Sequence, residues 1–406
     1  MQNIVIIGGG ASGLVAAITA AKKGKNVLLL EKNNICGKKI LVTGNGRCNY
    51  FNEEQNIAHY RSDNKEKLEK IITKSNTDKV LDFFTELGIE PKIKNGYYYP
   101  FSNQATSIQN ALISELKNLK VEVKNNIDVQ KIIKEENCFK IITDKETFFA
   151  EKIILATGSK ASPKTGSDGI GYKICKELGH KIIKPLPALV QLRGNEKYFK
   201  DWNGIRADVL IELYENNKKI AEEIGEIQLT DYGISGICVM NLSGRVARGL
   251  NENKNEKVKI NFLHGLNIYT KAECYDFINK RNNLLANRTI IELLEGILNY
   301  KLINVLLKKS NINNKKTWND LTQKEKEILI SNIVELEIYI LDINSFDKSQ
   351  VCSGGIPLNE ININTMESNI INGLYIIGEL LDVDGDCGGY NLTWAWLSGI
   401  IAGENI

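Results

Sequence analysis

A glycine-rich turn near the N-terminus constrains the fold more than any other feature of the chain. Gly8, Gly10 and Gly13 fit the spacing G-x-G-x-x-G, directly after the apolar run 4–7 and directly before a segment of helical composition. In this arrangement the first glycine permits a tight turn, the second lets a pyrophosphate approach the backbone, and the third lets helix and strand pack closely. An isolated match would be an ordinary glycine turn, but the strand–turn–helix context predicts a dinucleotide-binding domain.

An acidic residue after the next apolar run supports this prediction. Glu31 follows the buried-strand pattern 27–30, where a carboxylate can accept hydrogen bonds from ribose hydroxyls. The free N–H groups at the start of the preceding helix would meet the negative charge of the phosphates. NAD and FAD both satisfy these two features.

Four further segments favour FAD over NAD. Val129 lies in an edge segment whose backbone can meet an adenine, and the apolar run ending at Leu155 is followed by a tight turn at 156–158. A second apolar run ends in Gly378–Glu379, and residues 388–391 open an apolar helix. This set resembles the glutathione-reductase type of FAD fold. The resemblance implies that 378–379 holds the ribityl and pyrophosphate, and that the last helix points its N-terminus at the flavin, where negative charge gathers on reduction.

Longer motifs resemble one bacterial family of FAD-dependent oxidoreductases, which includes aminoacetone oxidases, 3-dehydro-bile-acid reductases and ribosomal-RNA dihydrouridine synthases. The matching segments are 37–49, 99–102, 164–172, 230–236, 353–355, 365–368 and 388–396. The resemblance runs in order from residue 3 to residue 404. Three residues depart from it: Asn45 stands in place of glycine, Ile237 in place of proline, and Cys387 in place of a hydroxyl residue.

The resemblance and the residue patterns together predict an α/β fold with two insertions. We expect the FAD-binding Rossmann-like domain to consist of 1–188 and 350–406. Short alternating runs predict an inserted antiparallel β domain, 189–265 with 331–349. Apolar residues at helical spacing predict an inserted helical domain, 266–330.

The candidate cofactor-binding residues are drawn from these motifs. They are Gly8, Gly10, Ala11, Ser12, Gly13, Glu31, Lys32, Lys38, Lys39, Gly46, Arg47, Cys48, Val129, Ala156, Thr157, Gly158, Gly378, Glu379, Gly389, Asn391 and Leu392.

The catalytic candidates are Cys48, Tyr390 and Asn391. The cation of Arg47 could lower the pKa of the Cys48 thiol, although a packed loop cysteine explains the residue equally well. Tyr390 and Asn391 begin the helix expected to face the flavin. Tyr390 could donate a proton or simply stack. The aromatic run 97–99 could face a planar substrate or form the core of a hairpin.

Composition limits the other possibilities. The 406 residues carry a net charge of +3, and no apolar run is long enough to span a membrane. None of the eight cysteines forms a C-x-x-C pair and there are only three histidines. We therefore expect no metal site, no disulfide framework and a cytoplasmic location.

The helical segment 266–330 is more basic than the rest, with 11 Lys plus Arg against 7 Asp plus Glu. Such a surface is usually only solvated, but it could also bind the phosphates of RNA. The candidate contacts are Lys308, Lys309, Lys315 and Lys316.

These features favour an NAD(P)H-driven reductase of a C=C bond conjugated to a carbonyl. No second G-x-G-x-x-G follows a strand, so NAD(P)H would visit the flavin directly and leave before the acceptor enters. The acceptor could be uracil in ribosomal RNA, giving dihydrouridine, or a steroid-like enone. An aminoketone or amine oxidase that produces hydrogen peroxide and a flavin-containing RNA-binding module are the alternatives.

Overall fold

The computed structural model describes residues 2–285 and 288–406, and its chain divides into two compact units. The first unit is Met1–Pro187 with Phe346–Ile406, and the second is Ala188–Ser345. The predicted β and helical insertions therefore lie within one compact unit. Their treatment as separate domains remains a prediction.

The first stretch of the first unit alternates strands with helices. Its strands are β1 (Gln2–Ile7), β2 (Val27–Glu31), β3 (Phe51–Asn52), β4 (Tyr60–Arg61), β5 (Pro91–Lys94), β6 (Tyr97–Pro100), β7 (Glu122–Asn125), β8 (Val129–Lys134), β9 (Phe139–Thr143), β10 (Thr147–Leu155) and β11 (Ile183–Ala188). Its helices are α1 (Ala11–Lys22), α2 (Lys65–Ile71), α3 (Lys74–Glu86), α4 (Ala105–Asn118) and α5 (Ile170–Glu177).

The second unit combines a sheet with a group of helices. Its strands are β12 (Leu192–Arg193), β13 (Arg206–Glu215), β14 (Lys218–Leu229), β15 (Gly233–Ser235), β16 (Glu256–Asn261), β17 (Leu336–Ile340) and β18 (Asp342–Ile343). Its helices are α6 (Phe199–Trp202), α7 (Ile237–Asn251), α8 (Lys271–Leu284), α9 (Ile290–Leu294), α10 (Tyr300–Lys309) and α11 (Gln323–Val334).

The chain then returns to the first unit, which it completes. The returning elements are β19 (Val351–Gly355), β20 (Leu374–Ile376), β21 (Asp384–Gly385) and α12 (Tyr390–Asn405).

A seven-stranded sheet forms the centre of the first unit, in the order β7-β2-β1-β10-β9-β8 with β20 also beside β10. The pairs among β7, β2, β1, β10 and β20 are parallel, whereas β9 joins β10 and β8 antiparallel. Residues 4–7 and 27–31 are buried throughout, as expected for parallel strands covered on both faces. The carboxyl ends of the parallel strands, where Rossmann folds bind their ligands, thus lie along one edge.

Helices α1 and α12 pack closely because glycines lie at their contact. A Cβ atom at Gly399 would lie 2.5 Å from the Ser12 carbonyl oxygen, and one at Gly403 would lie 2.8 Å from that of Ala16. Two buried tryptophans fix α12 further, since Trp394 donates to the Gly378 carbonyl and Trp396 to the Tyr50 carbonyl, both at 3.0 Å. The last helix therefore holds the glycine turns of the predicted cofactor site in place.

The second unit contains a long helix, besides the single turn α6, that its sequence pattern did not predict. The alternating runs between about 189 and 262 predicted strands throughout, but residues 237–251 form α7, which packs on β14. Cys238, Leu242 and Val246 are buried at helical spacing, and this period prevails over the β pattern of the flanking segments. The remaining strands form one antiparallel sheet in the order β17-β16-β13-β14-β15-β12-β18, whose core includes residues of α8 to α11.

Candidate cofactor and reaction site

The glycines of the N-terminal turn are required by close backbone contacts. Gly8 adopts a φ of +106°, and a Cβ there would lie 2.4 Å from the Ala156 carbonyl oxygen. A Cβ at Gly13 would lie 1.9 Å from the Gly8 carbonyl oxygen. These two positions pack β1, α1 and the 156–158 turn together, as the G-x-G-x-x-G spacing predicts.

Gly10 differs from its neighbours because it faces open space. No protein atom of the described chain lies within 4 Å of a Cβ built at this residue. Helix α1 begins at Ala11, next to Ser12, without a side-chain cap or an acidic residue in its first turn. Its first N–H groups thus remain available for an anion, and the residues present fit the pyrophosphate of FAD.

Glu31 is held firmly at the carboxyl end of β2. One of its carboxylate oxygens accepts from the Gly9 N–H at 2.6 Å, and the other accepts from the backbone and side-chain nitrogens of Asn33 at 2.7 and 2.6 Å. The oxygen that accepts from Gly9 keeps a second lone pair, so a ribose hydroxyl can still donate to it.

Two further turns meet the start of α1. The turn 156–158 carries the buried Thr157 hydroxyl, which has no hydrogen-bond partner among the described residues. Gly378 adopts a φ of +67°, and a Cβ there would lie 2.6 Å from the Ser12 hydroxyl. Its N–H donates to Ser398 of α12 at 3.0 Å. Two turns far apart in sequence thus lie together at the start of α1. The Thr157 hydroxyl of one turn has no partner among the described residues and could bond to a cofactor.

Three predicted lysines have different partners. Lys39 pairs with Glu379 at 2.8 Å, and this brings the 37–49 loop to the Gly378–Glu379 turn. Lys38 lies 3.5 Å from the Asn33 side-chain oxygen. Burial opposes the charge of Lys32, but its bonds to Asp168 (2.5 Å) and Asp128 (3.1 Å) outweigh that effect and raise its pKa. The ammonium of Lys32 is therefore held by two carboxylates.

Val129 and Leu392 occupy the predicted elements. Val129 is buried and begins β8, directly before an irregularity in its pairing with β9. Leu392 is half-buried in the first turn of α12. Their contact with a cofactor remains a prediction.

The 44–49 loop and the 388–391 turn meet at Asn49. A Cβ at Gly389, which caps α12 with a φ of +99°, would lie 3.1 Å from the Asn49 side-chain oxygen. That oxygen is buried and has no hydrogen-bond partner among the described residues. Gly44 lies on the other side of Asn49, with its Cβ position 3.1 Å from the Asn49 nitrogen, while Gly46 is open. We name the surroundings of this contact the reaction pocket, as the candidate site of the reaction.

The surroundings of Cys48 favour a packed loop cysteine over an activated thiol. Burial raises the pKa of its thiol to about 12, and a hydrogen bond from Thr43 does not offset this. The Arg47 guanidinium has other contacts, since Nε donates to the Gly44 carbonyl at 3.1 Å and the group lies 5.2 Å from the Tyr99 ring centroid. A neutral, buried thiol is a poor nucleophile, so the catalytic role of Cys48 stays a prediction that this geometry disfavours.

The side chain of Asn391 is occupied by hydrogen bonds, whereas the phenol of Tyr390 carries a proton. Asn391 bonds through both side-chain atoms to the backbone of Gly385, at 2.8 Å each, and so holds the turn in front of α12. Burial, with the charges of Glu54 and Asp386, raises the pKa of Tyr390 well above its ordinary value. Tyr390 therefore keeps its proton at neutral pH.

The aromatic run 97–99 reaches the same turn. Tyr97 lies beside Gly388, where a Cβ would come within 2.7 Å of its ring. Tyr98 packs edge-on against Phe51 with ring centroids 5.3 Å apart. The run thus forms a hairpin core through Tyr98 and borders the reaction pocket through Tyr97.

A group of charged residues beside Tyr390 was missed by sequence reasoning. His59 lies 3.0 Å from the Asp386 carboxylate, and Arg61 pairs with Asp386 and with Asp384. The signal was visible, because three aspartates alternate at 382, 384 and 386 directly before the glycine turn. No group of three or more His, Cys, Asp or Glu in 2–285 and 288–406 is arranged to hold a metal ion.

The candidate RNA-binding lysines of the second unit mostly have partners. Lys308 pairs with Asp201 at 2.8 Å and Lys316 with Glu325 at 2.7 Å, while Lys309 lies 4.9 Å from the Tyr198 ring centroid. Two of the four candidate lysines are therefore paired with an acidic residue. No helix of the described residues is long and apolar enough to cross a membrane.

The chain is similar to known proteins over its whole length. It is 40% identical over 406 residues to the 3-dehydro-bile acid delta(4,6)-reductase of Clostridium scindens, covering 100% of this chain and 98% of the relative. It is 27% identical over 399 residues to the ribosomal RNA dihydrouridine synthase of Escherichia coli, covering 98% and 96%. The solved 3-ketosteroid-delta4-(5alpha)-dehydrogenase of Rhodococcus jostii shares the fold, with a TM-score of 0.50, 13% identity, and coverage of 99% and 96%.

The family match agrees with the geometry of the site. The model of the HI0933-like protein Rossmann domain matches residues 2–405. The glycine turns, the free start of α1 and the convergent turns at 156–158 and 378–379 supply what this fold needs to hold FAD. The chain belongs to the HI0933-like Rossmann family and is an FAD-dependent oxidoreductase.

Proposed function

We propose that this chain reduces a C=C bond conjugated to a carbonyl in a small, largely apolar substrate, with NAD(P)H as the electron donor. The observation that carries the proposal is Tyr390, a protonated and buried phenol at the N-terminus of α12, beside the reaction pocket. Conjugate reduction needs a hydride at the β-carbon and a proton at the α-carbon. A phenol that holds its proton at neutral pH suits the second requirement.

The start of α12 would assist the same reaction. FAD, when bound, supplies a store for the hydride taken from NAD(P)H. The N-terminal end of α12 has no acidic residue in its first turn, so its positive dipole end can stabilise negative charge that develops nearby. Asn49 presents an unpartnered acceptor towards the turn and can orient a donor of the cofactor or substrate.

A steroid-like or bile-acid-like enone is the substrate class that we favour. The full-length relative at 40% identity is named for reduction of a 3-dehydro bile acid. Tyr97 lies beside Gly388 and Tyr99 beside Gly44. Val42 and Phe101, each two residues along the chain from Gly44 or Tyr99, are 61% and 70% exposed. Such surfaces suit a flat apolar ring system better than a nucleotide chain.

The two alternatives have weaker support. Uracil in RNA would need a polyanion-binding surface, and the lysines expected to provide one are mostly paired with acids or stacked. An amine oxidase would need a group that accepts a proton from its substrate, whereas the Tyr390 phenol, whose pKa is raised by burial, already carries its proton and cannot act as that base. The free cysteines suit a reducing cytoplasm, where NAD(P)H is at hand.

Anaerobic mixing tests the proposal. NADH or NADPH should bleach the flavin band of the purified protein, and a 3-oxo-Δ4 bile acid should then restore it. The saturated 3-oxo bile acid is the matched control, because it keeps the ring system and ketone but lacks the conjugated bond. Bleaching by aminoacetone, with reoxidation by oxygen alone, would establish the oxidase instead. Reoxidation by uracil-containing ribosomal RNA alone would establish the synthase.

A further inference from the structure

His59 is fixed to Asp386 by two independent contacts. Its ring Nδ1 lies 3.0 Å from the Asp386 carboxylate, and its carbonyl accepts from the Asp386 N–H at 2.9 Å. The flanking strands β4 and β21 pair antiparallel, with Arg61 opposite Asp384. The imidazole therefore has one orientation relative to the turn that leads into α12.

That orientation places the imidazole flat against Tyr390. The ring centroids of His59 and Tyr390 are 4.5 Å apart and the planes differ by 17°. Tyr60 packs edge-on against the phenol, with centroids 5.6 Å apart at 84°. The phenol ring is thus contacted by two aromatic neighbours, of which the histidine is the one whose side chain can carry a positive charge.

His59 lies between a buried carboxylate, that of Asp386, and an exposed one, that of Glu54. Asp386 also pairs with Arg61, and the other nitrogen of His59, Nε2, lies 3.7 Å from the carboxylate of Glu54. The Glu54 side chain is 73% exposed, whereas that of Asp386 is 10% exposed. Protonated His59 can thus direct its two N–H groups towards one carboxylate on each side.

We propose that His59 and Asp386 are positioning residues for Tyr390 as proton donor, an inference that rests on the proposed function. Asp386 holds the imidazole flat on the phenol, and the protonated imidazole stabilises the phenolate that proton delivery leaves behind. In the balanced step, the β-carbon of the enone would receive a hydride from reduced FAD, and the π electron pair would take the Tyr390 proton at the α-carbon. A proton from water then restores the phenol, and His59 keeps its own proton throughout.

The other titratable groups near Tyr390 work against phenolate formation. Glu54 and Asp386 are anionic, and Tyr97 on β6 has a pKa raised by burial. In this proposal, a proton on the His59 imidazole would place a positive charge directly against the phenol ring, where an anion must form.

The kinetic test compares His59→Phe, which keeps the stack but removes the charge, with Tyr390→Phe. We expect His59→Phe to slow reoxidation of the reduced flavin by the enone by roughly tenfold to a hundredfold and to abolish its dependence on pH between about 6 and 8. Tyr390→Phe should slow the same step by about 10² to 10⁴. Flavin reduction by NAD(P)H should be unchanged in both. Asp386→Asn should resemble His59→Phe, and Asp386→Glu should recover part of the rate.

A second measurement does not depend on activity. With 3-fluorotyrosine at position 390, the ¹⁹F signal should move with pH in the otherwise unchanged protein and stay fixed in His59→Phe. His264→Phe is the matched control, because His264 also contacts a tyrosine ring, Tyr269, with centroids 5.5 Å apart. A signal that moves equally in all variants, or a pH profile that His59→Phe preserves, overturns the inference. If no enone reoxidises the flavin, the proposed function is refuted. The ¹⁹F measurement still tests whether His59 acts on Tyr390, because it does not require turnover.

Discussion

Single residues divide into those that the fold needs and those that the cofactor needs. Gly8 and Gly13 cannot carry a side chain because backbone oxygens lie within 2.4 Å of the Cβ positions. Gly10 meets no described protein atom within 4 Å, so the fold alone does not explain its glycine. The three glycines of one motif therefore serve two purposes, which substitution can separate.

Gly10→Val should yield folded protein without flavin. The new side chain would fill the space of the pyrophosphate without touching the protein, so FAD per chain should fall at least tenfold, while far-ultraviolet circular dichroism stays unchanged. Gly265→Val is the control, because Gly265 is equally open and lies in the second unit. Yellow Gly10→Val protein with a full complement of FAD would contradict the assignment.

Cys48 should be chemically inert in the native protein. Its thiol is fully buried and its pKa is raised to about 12, so almost none is thiolate at pH 8. Iodoacetamide should label Cys48 only after denaturation, as mass spectrometry of the digested protein can show. Cys48→Ala should retain at least half of the reductase rate. A loss of a hundredfold or more with FAD still bound would restore Cys48 as a catalytic candidate.

At the scale of elements, the sequence predicted the first strands, the first helix and the glycine turns because each has a strong local signal. Helix α7 was missed because its segment lies between strands of alternating pattern, and its own period of 3.6 emerges only when 237–251 is separated from them. The departures at Asn45 and Ile237 are explained by the structure. Asn45 adopts a φ of +55°, which asparagine tolerates, and Ile237 is the first residue of α7, where proline is also well accommodated.

Strand β16 begins with a carboxylate that should make stability depend on pH. Burial and the charge of Glu215 raise the pKa of Glu256 to about 7, and Lys254 only partly offsets them. The folded chain binds this proton more tightly than the unfolded chain, so the contribution to stability is full below about pH 4.5 and is lost as pH rises towards 7. Glu256→Gln should therefore raise the unfolding temperature at pH 8, by about 2–4 °C for each kcal/mol by which the free energy of unfolding increases.

The same variant should have little effect at pH 5, where Glu256 of the folded protein is already protonated. Glu222→Gln is a suitable control, because this glutamate is exposed and pairs with Lys219 at the surface. Differential scanning at the two pH values measures the effect. Equal shifts for Glu256→Gln at pH 5 and pH 8 would show that the carboxylate does not titrate in this range.

The basic helical segment can be tested as a unit. The combined Lys308→Ala, Lys309→Ala, Lys315→Ala and Lys316→Ala variant should keep kcat/KM for a small enone within about twofold, because a largely apolar ligand gains little from compensated surface charge. If structured RNA is the substrate, RNA affinity should fall, and its log–log salt dependence should flatten by roughly 0.9 for each duplex phosphate that the variant no longer neutralises. Filter binding at several salt concentrations distinguishes the two results.

At the scale of the whole molecule, the glycine turns of the candidate cofactor site could be predicted, whereas the proposed proton-transfer group could be predicted only in part. The FAD motifs can be recognised by the spacing of their glycines. At Gly8 and Gly13 another part of the backbone comes too close for any side chain. His59, Asp386 and Tyr390 come together through the pairing of β4 with β21, two short strands separated by more than 300 residues. No local pattern encodes such a contact, so only the folded chain reveals it.

The packing of α12 against α1 has a consequence for biosynthesis. About 370 residues separate the two helices, so at 5–20 residues per second the ribosome takes roughly 20 to 70 s to make the partner that α1 awaits. Over that interval α1 lacks α12, whose Gly399 and Gly403 pack on it, and β10 lacks its neighbouring strand β20. Because α12 also holds the Gly378 turn through Trp394 and Ser398, we expect a chain without α12 to retain no FAD.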